Sequence, residues 1–245
     1  MLSGNPQIFG INTYEQSSTP LHQLGTKGIT ADGRIFRYTQ AAGTGIATGK
    51  LCVAPRITTN HEDIAFATAG VVGDKSISIT LGATAVTANE YDEGYVVIVD
   101  DTGEGHTHEI VRHGVSASGS EAITIDLKTP LVAATTTSTT VTLVRNNHRD
   151  VIIAVGGTQT DIPVGVTPIA VTADYYFWAQ TGGWASLLSS GTNTCTAGEP
   201  ATIGEATDGS VSGRDSVAEP LVGIAGTTVN ATSGEHNAYF LMMDN

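Results

Sequence analysis

The stretch YYFWAQTGGWASLL, residues 175–188, carries the strongest fold signal in this chain of 245 residues. Aromatic side chains favour strands, and successive side chains of a strand point to opposite faces. Tyr176 and Trp178 therefore share one face, and Tyr175 and Phe177 share the other. A strand that is apolar on both faces is buried on both. The Gly-Gly pair that follows indicates a tight turn, so we predict a buried hairpin.

The remainder of the chain has a composition that favours strands and turns. It contains 36 Thr and 29 Gly. Thr is stiff at its first side-chain torsion and fits a pleated strand, whereas Gly supplies the positive backbone angles of tight turns. We therefore predict an all-β fold of barrel or sandwich modules with turn-rich loops and an extended N-terminal arm. Short helices are conceivable at residues 85–93 and 131–138 only.

Changes of pattern along the chain predict three parts. Residues 1–24 form the extended N-terminal arm, anchored on a neighbouring molecule or across its own barrel, with a frayed terminus as the alternative. Residues 25–58 and 150–245 form the main β domain, and residues 59–149 form an inserted β domain. Five strand-like runs separated by turn signals define the inserted domain. They are Ser76–Leu81, Tyr95–Val99, His108–His113, Ala122–Leu127 and Thr139–Val144.

The charge of the chain bears on its partners. Only 14% of the residues are charged, and the net charge is −13. This argues against nucleic-acid binding, which needs clustered Lys and Arg. The net charge is +3 over residues 1–60, −7 over 61–149 and −9 over 150–245. This asymmetry favours one docking face and one solvent face, with sampling variation in a weakly charged chain as the alternative.

The beginning of the chain and its cysteines bear on location. Met1–Gly10 is polar and has neither the basic start nor the apolar run of a signal peptide. No apolar segment is long enough to span a bilayer. We therefore expect synthesis in a cytoplasm and no membrane partner. Cys52 and Cys195 are expected to be buried reduced thiols rather than metal ligands or a disulfide framework.

Catalytic motifs are lacking. Gly114–Ser118 has no closing glycine of a nucleophile elbow, and Gly43–Gly49 has the wrong spacing for a dinucleotide fingerprint. Asp100–Glu104 resembles a calcium loop in composition only. Paired carboxylates of sugar hydrolases converge in space and are not visible in a sequence. We predict a protein that is not an enzyme, with no catalytic or cofactor-binding residue.

Three histidines lie close together in the inserted domain. His106 and His108 would share one face of a strand, as paired metal ligands can, whereas His113 would point to the opposite face. The favoured interpretation is a polar hairpin with exposed histidines and no metal. A structural metal within or between subunits is the alternative.

Two parts of the chain resemble a known family. GITADGRIFRY at residues 28–38, then small residues and Gly49-Lys50-Leu51, is similar to the start of capsid decoration (cement) proteins of tailed bacteriophages. The C-terminal part is similar too: an aromatic strand, a Gly turn and a second strand lead into a Gly-rich stretch at 191–213. A Gly-Ile-Ala strand at 222–225 and a last apolar strand at 239–243 follow. The middle block is an insertion with respect to this resemblance.

The resemblance implies a virion structural protein on the outer capsid surface that bridges major capsid subunits. Proteins of this family look like small β barrels or sandwiches, are often trimeric, and sit at three-fold positions of the capsid. The resemblance therefore implies a homotrimer, with a dimer as the alternative. No catalytic residues carry over.

The resemblance implies the capsid as partner, and we expect the arm and the basic first strands to face it. This set comprises Phe9, Ile11, Tyr14, Arg34, Arg37, Lys50 and Arg56. The alternative function is a tail-associated or receptor-binding protein that recognises cell-surface glycans through residues 59–149. A bacterial surface adhesin is a third interpretation, which the polar N-terminus disfavours.

Overall fold

A computed structural model describes residues 7–228 and 234–244, and those residues form strands, turns and loops but no helix. This confirms the all-β prediction, and the segments 85–93 and 131–138 are turns and loops. The chain divides into two compact units. The main unit comprises Met1–Pro55 with Asn147–Asn245, and the inserted unit comprises Arg56–Asn146.

Most of the strands in the described residues are short. In chain order they are β1 (Ile8–Phe9), β2 (Gln16–Ser17), β3 (Lys27–Ile29), β4 (Ile35–Gln40), β5 (Leu51–Val53), β6 (Ile64–Ala65), β7 (Ser76–Thr80), β8 (Tyr95–Asp100), β9 (Thr107–His113), β10 (Ala122–Leu127), β11 (Thr140–Val144), β12 (Ile152–Ile153), β13 (Pro163–Val166), β14 (Tyr176–Leu188), β15 (Pro200–Ile203), β16 (Val211–Gly213), β17 (Gly223–Ala225) and β18 (His236–Met242).

The main unit is a 12-stranded mixed sheet with β14 at its centre. The main path runs β1-β3-β4-β14-β18-β17-β15-β16, and β2, β5, β12 and β13 attach to it. The first half of β14 pairs with β4, and its second half pairs with β18. One 13-residue strand therefore joins two parts of the sheet.

The predicted hairpin at residues 175–188 is wrong. Gly182 and Gly183 lie inside the continuous strand β14, and the two halves of the stretch do not pair with each other. Gly183 has a φ of 82°, and the register with β4 shifts between Gln180 and Gly182. The glycines therefore form a bulge that bends the strand without reversing it, because each half has a better partner strand elsewhere in the unit.

The prediction that the aromatic half of this stretch is buried on both faces is confirmed. Phe177 packs in one apolar cluster, with Tyr175 against it. Trp178 packs in another, with Leu24, Phe36 and Tyr38, and Tyr176 lies against that cluster. The alternation along residues 175–178 thus distributes four aromatic side chains between two apolar clusters.

Residues 7–24 of the predicted arm lie on the main unit itself. β1 pairs in parallel with β3, and β2 pairs with β14. Ile8 and Ile11 pack against the Trp178 cluster. The apolar residues of the described arm therefore contribute to the core of their own unit, and residues 1–6 lie outside the described part of the chain.

The inserted unit is an antiparallel six-stranded barrel. The strand order is β6-β11-β8-β9-β10-β7. A backbone bridge between Phe66 and Ile79 joins the two ends, so the sheet nearly closes. A single apolar cluster fills it, with Ile79, Ile125 and Leu143 fully buried. All five predicted strands of this block are present, and the two-residue strand β6 was not predicted.

Candidate docking surface

Two aromatic side chains are exposed next to each other on the main unit. Trp184 on β14 and Phe240 on β18 are directly paired across the two strands. Their rings contact edge to face, with centroids 5.5 Å apart, and they are 56% and 41% exposed. Large apolar side chains rarely cluster at a surface without a function. We call Trp184, Phe240 and the nearby Tyr14 the aromatic face.

The bend in β14 places Trp184 at the surface. Gln180 is buried, and its side-chain amide donates hydrogen bonds to the carbonyl oxygens of Gly182, at 3.1 Å, and Trp184, at 2.8 Å. One side chain therefore braces both sides of the bulge. Beyond it, Trp184 and Ser186 point outward, whereas Leu187 is buried.

Glycines provide the space that the exposed rings occupy. A Cβ atom on Gly226 would overlap Cζ3 of the Trp184 indole. A Cβ atom on Gly49, which has a φ of 68°, would lie 2.5–2.6 Å from the imidazole of His236. The His236 ring in turn lies 3.3 Å from the carbonyl oxygen of Thr48 through its Nε2 atom. The Trp184 and His236 rings can therefore lie in these positions only because Gly226 and Gly49 have no side chain.

Two depressions flank Trp184. A groove of about 170 Å³ is lined by Tyr14, Arg34, Pro168, Trp184 and His236, among others. A shallower depression of about 490 Å³ is lined by Trp184, Thr227, His236 and Asn237, among others. The surface combines aromatic rings, small hydroxyl and amide groups, and one guanidinium group. Such a surface can bind a polypeptide or a sugar ring by stacking and hydrogen bonds.

Basic residues that were predicted to face the capsid form ion pairs and hydrogen bonds within the main unit. Arg37 forms a two-pronged ion pair with Asp244, at 2.5 and 2.9 Å, and Lys27 lies 3.5 Å from the same carboxylate. Burial opposes ionisation, but hydrogen bonds and the charges of Arg37 and Lys27 hold the pKa of Asp244 below its ordinary value. This cluster ties the end of the chain to β3 and β4.

Lys50 and Arg34 also have partners within the main unit. The Lys50 ammonium group donates to the carbonyl oxygen of Asp208 at 2.8 Å, and burial lowers the pKa of Lys50 despite the nearby charge of Asp208. Arg34 pairs with exposed Asp32 at 2.8 Å. An exposed ion pair of this kind is weak, so Arg34 can exchange Asp32 for another partner.

The structure brings together only part of the predicted interface set. Tyr14 and Arg34 line the same groove, and Tyr14 is 68% exposed. Phe9 is exposed on β1, whereas Ile11 packs into the core. Arg56 is exposed and belongs to the inserted unit.

No surface role was predicted for Trp184, Phe240 or His236. A signal was available: in Ala238-Tyr239-Phe240-Leu241 the buried residues are Tyr239 and Leu241, which leaves Phe240 outward by simple alternation. The exposure of Trp184 was masked by the assumption of a hairpin.

Two expectations for the histidines of the inserted unit are wrong. His108 is buried rather than exposed. His113 does not face away from His108, because β9 has a register shift against β10 that leaves Val111 and Arg112 both exposed. The side chain of His113 is therefore fully buried, and its Nε2 atom accepts the backbone N–H of Tyr91 at 3.0 Å.

Within the described residues, no group of three or more His, Cys, Asp or Glu side chains is arranged to hold a metal ion. Cys52 and Cys195 are free and buried, as predicted, and burial raises the pKa of Cys52 to about 12. No helix in residues 7–228 and 234–244 has the length and apolar character needed to cross a membrane.

Comparisons with protein-family models, with curated proteins and with solved structures find no match to this chain. A function therefore has to be argued from its own residues.

Proposed function

We propose that this chain is a structural protein of a bacteriophage virion, which decorates the outer capsid and stabilises the head by bridging major capsid subunits. The observation that carries the proposal is the aromatic face of the main unit. The resemblance of residues 28–38 and of the C-terminal strands to capsid decoration proteins supplies the identity of the partner. The low charge content of the chain supports a role against other proteins.

The chemistry of the aromatic face suits a protein partner. Trp, Tyr and Phe are enriched at protein interfaces and supply much of their binding energy, because they bury large apolar areas at a small cost in side-chain entropy. Trp184 sits between the two depressions, where a partner would enclose it. Arg34 at the rim can pair with an acidic group of the shell. Each contact is modest, and many copies on one shell add their effects.

Co-sedimentation with shells that lack the protein tests this proposal. Tyr14→Ser and Trp184→Ala should each weaken binding by about 30-fold or more, which corresponds to the loss of about 2 kcal/mol from a central interface residue. Val217→Ala is the matched control, because Val217 is 94% exposed but lines neither depression. Full binding by both aromatic variants would contradict the proposed role of this face.

Recognition of cell-surface glycans remains the second candidate function, and one observation favours it. An exposed indole beside hydroxyl and amide groups is also a platform on which a sugar ring stacks. The site would then lie on the main unit, because the aromatic face has three exposed aromatic rings, whereas the inserted unit has a single exposed aromatic side chain, Tyr95. Glycan-array binding that is lost in Trp184→Ala, with no binding to shells, would favour this function over decoration.

A further inference from the structure

His106 and His108 lie on the inward side of the inserted barrel. His108 is the pairing partner of Val96, and the carbonyl oxygen of His106 accepts the backbone N–H of Ile98 at 2.9 Å. Val96 and Ile98 are both buried in the barrel core. The two imidazoles therefore occupy the same side of the sheet as apolar core residues.

Each of these imidazoles has a buried nitrogen atom that makes no hydrogen bond within the described residues: Nδ1 of His106 and Nε2 of His108. The other nitrogen of His108, Nδ1, lies 3.4 Å from the hydroxyl oxygen of Thr129. With the Nδ1 proton directed at that hydroxyl group, Nε2 keeps a free lone pair. A buried polar atom without a partner is costly, so these two nitrogens on neighbouring rings point to a ligand that they share.

We propose that His106 and His108 bind one divalent transition-metal ion through these two nitrogens. The ring centroids are 6.4 Å apart. Two imidazoles bound to one tetrahedral zinc ion through bonds of about 2.0–2.1 Å have their centroids roughly 5 Å apart. Binding would therefore bring the two rings about 1 Å closer together than they lie in this structure.

The donor set defines the class of metal. Imidazole nitrogen suits zinc, copper and nickel, whereas calcium and magnesium prefer oxygen ligands. The contact between Thr129 and His108 is the kind of outer contact that orients a histidine ligand. With two protein ligands, water molecules would have to fill the remaining coordination positions. This proposal departs from the favoured sequence-based interpretation, which had no metal, and takes up its alternative, a structural metal.

Metal titration of the full chain tests the proposal. The protein carries no affinity tag and is first treated with a chelator, and zinc chloride is then added in a calorimeter at neutral pH. We expect one zinc ion per chain and an increase in the unfolding temperature of the inserted unit. His106→Gln and His108→Gln should each weaken zinc binding at least tenfold. His236→Gln, which changes an exposed histidine of the main unit, should bind zinc as the unaltered chain does.

Circular dichroism separates loss of the site from loss of the fold. His106 is less buried than His108, so His106→Gln is the variant expected to keep the barrel intact. Titration with copper(II) adds a spectroscopic readout, because two nitrogen ligands produce a characteristic hyperfine pattern that the variants should lose. The proposal is overturned if the unaltered chain binds no zinc at one equivalent, if folded His106→Gln binds it equally well, or if a crystal soaked in zinc has only a water molecule between the two nitrogens.

Discussion

Trp178 and Trp184 lie on the same strand, yet they are 5% and 56% exposed. The difference comes from their neighbours rather than from the tryptophan side chain. Trp178 packs against Leu24 and Phe36 in a core cluster. Trp184 follows the bulge that Gln180 braces, and its indole rests over Gly226.

Gly226→Ala should therefore displace the Trp184 indole. The added methyl group overlaps the ring, whose exposed side leaves it free to move outward, so the fold should survive. We expect greater quenching of tryptophan fluorescence by iodide and weaker binding to shells. Gly43→Ala is the control, since its Cβ would have no neighbour closer than 3.9 Å. Unchanged quenching in Gly226→Ala would show that the indole does not rest on this glycine.

His148 predicts how the stability of the main unit depends on pH. Burial and the charge of Arg37 lower the pKa of His148 to about 4, although Asp244 acts in the opposite direction. The unfolded chain has a histidine pKa of about 6.5, so it binds more protons than the folded chain between about pH 4 and 6.5. The contribution of neutral His148 to the free energy of unfolding is therefore complete above about pH 6.5 and is lost as the pH falls toward 4.

Unfolding by urea measures this effect. Tryptophan fluorescence reports on the main unit alone, because both tryptophans belong to it. Between about pH 7.5 and pH 5 the free energy of unfolding of the unaltered chain should fall by about 2 kcal/mol more than that of His148→Gln. Equal losses in both proteins would mean that His148 titrates normally in the folded state.

Among the elements, regular alternation was predictable and bends were not. The five strands of the inserted unit follow from β-branched and aromatic residues alternating between turn signals. The apolar faces of β14 follow from the same rule. The direction of the chain after Gly182-Gly183 does not follow from alternation, because a glycine pair permits both a hairpin turn and a bulge. Only the competing partners β4 and β18 decide between them.

The aromatic face was missed for a related reason. Exposure of Phe240 follows from alternation along β18, but its proximity to Trp184 depends on the pairing of β14 with β18. The inward position of His113 depends on a bulge in β9 that the sequence does not mark with Gly or Pro. Pairing between distant segments, rather than local propensity, determines these sites.

The described part of the arm should be released by Gly28→Ala. A Cβ atom on Gly28 would lie 2.6 Å from Cδ1 of Ile11 and 2.8 Å from Cζ3 of Trp178. Trp178 is enclosed in the core, so Ile11 is the side chain that must move, and the pairing of β1 with β3 should weaken. Limited proteolysis should cleave residues 7–24 of Gly28→Ala at least about fivefold faster than those of Gly43→Ala. The free energy of unfolding of Gly28→Ala should be lower by about 1–3 kcal/mol. Equal cleavage rates would contradict the anchoring of the arm by Ile11.

At the scale of the whole molecule, each unit has its own core. The inserted unit joins the main unit between β5 and β12, and these two strands pair with each other, with Val53 opposite Ile152. A short connection can therefore replace the insertion. We expect a chain in which a Gly-Ser linker replaces residues 56–146 to fold and to keep its aromatic face.

The excised segment 56–146 should also fold alone, because its strands form a nearly closed barrel around one apolar cluster. Circular dichroism and cooperative thermal unfolding of the two separate proteins check both expectations. A fragment that is unstructured while the full chain is folded would mean that the barrel needs the main unit.

Electron cryo-microscopy of phage particles assembled in the presence of this chain is the most direct test of the proposed capsid decoration. We expect density for the main unit on the outer capsid, with Trp184, Phe240 and Tyr14 buried against major capsid subunits. Particles that lack the chain on the head, or that carry it with this face turned to solvent, would contradict the account.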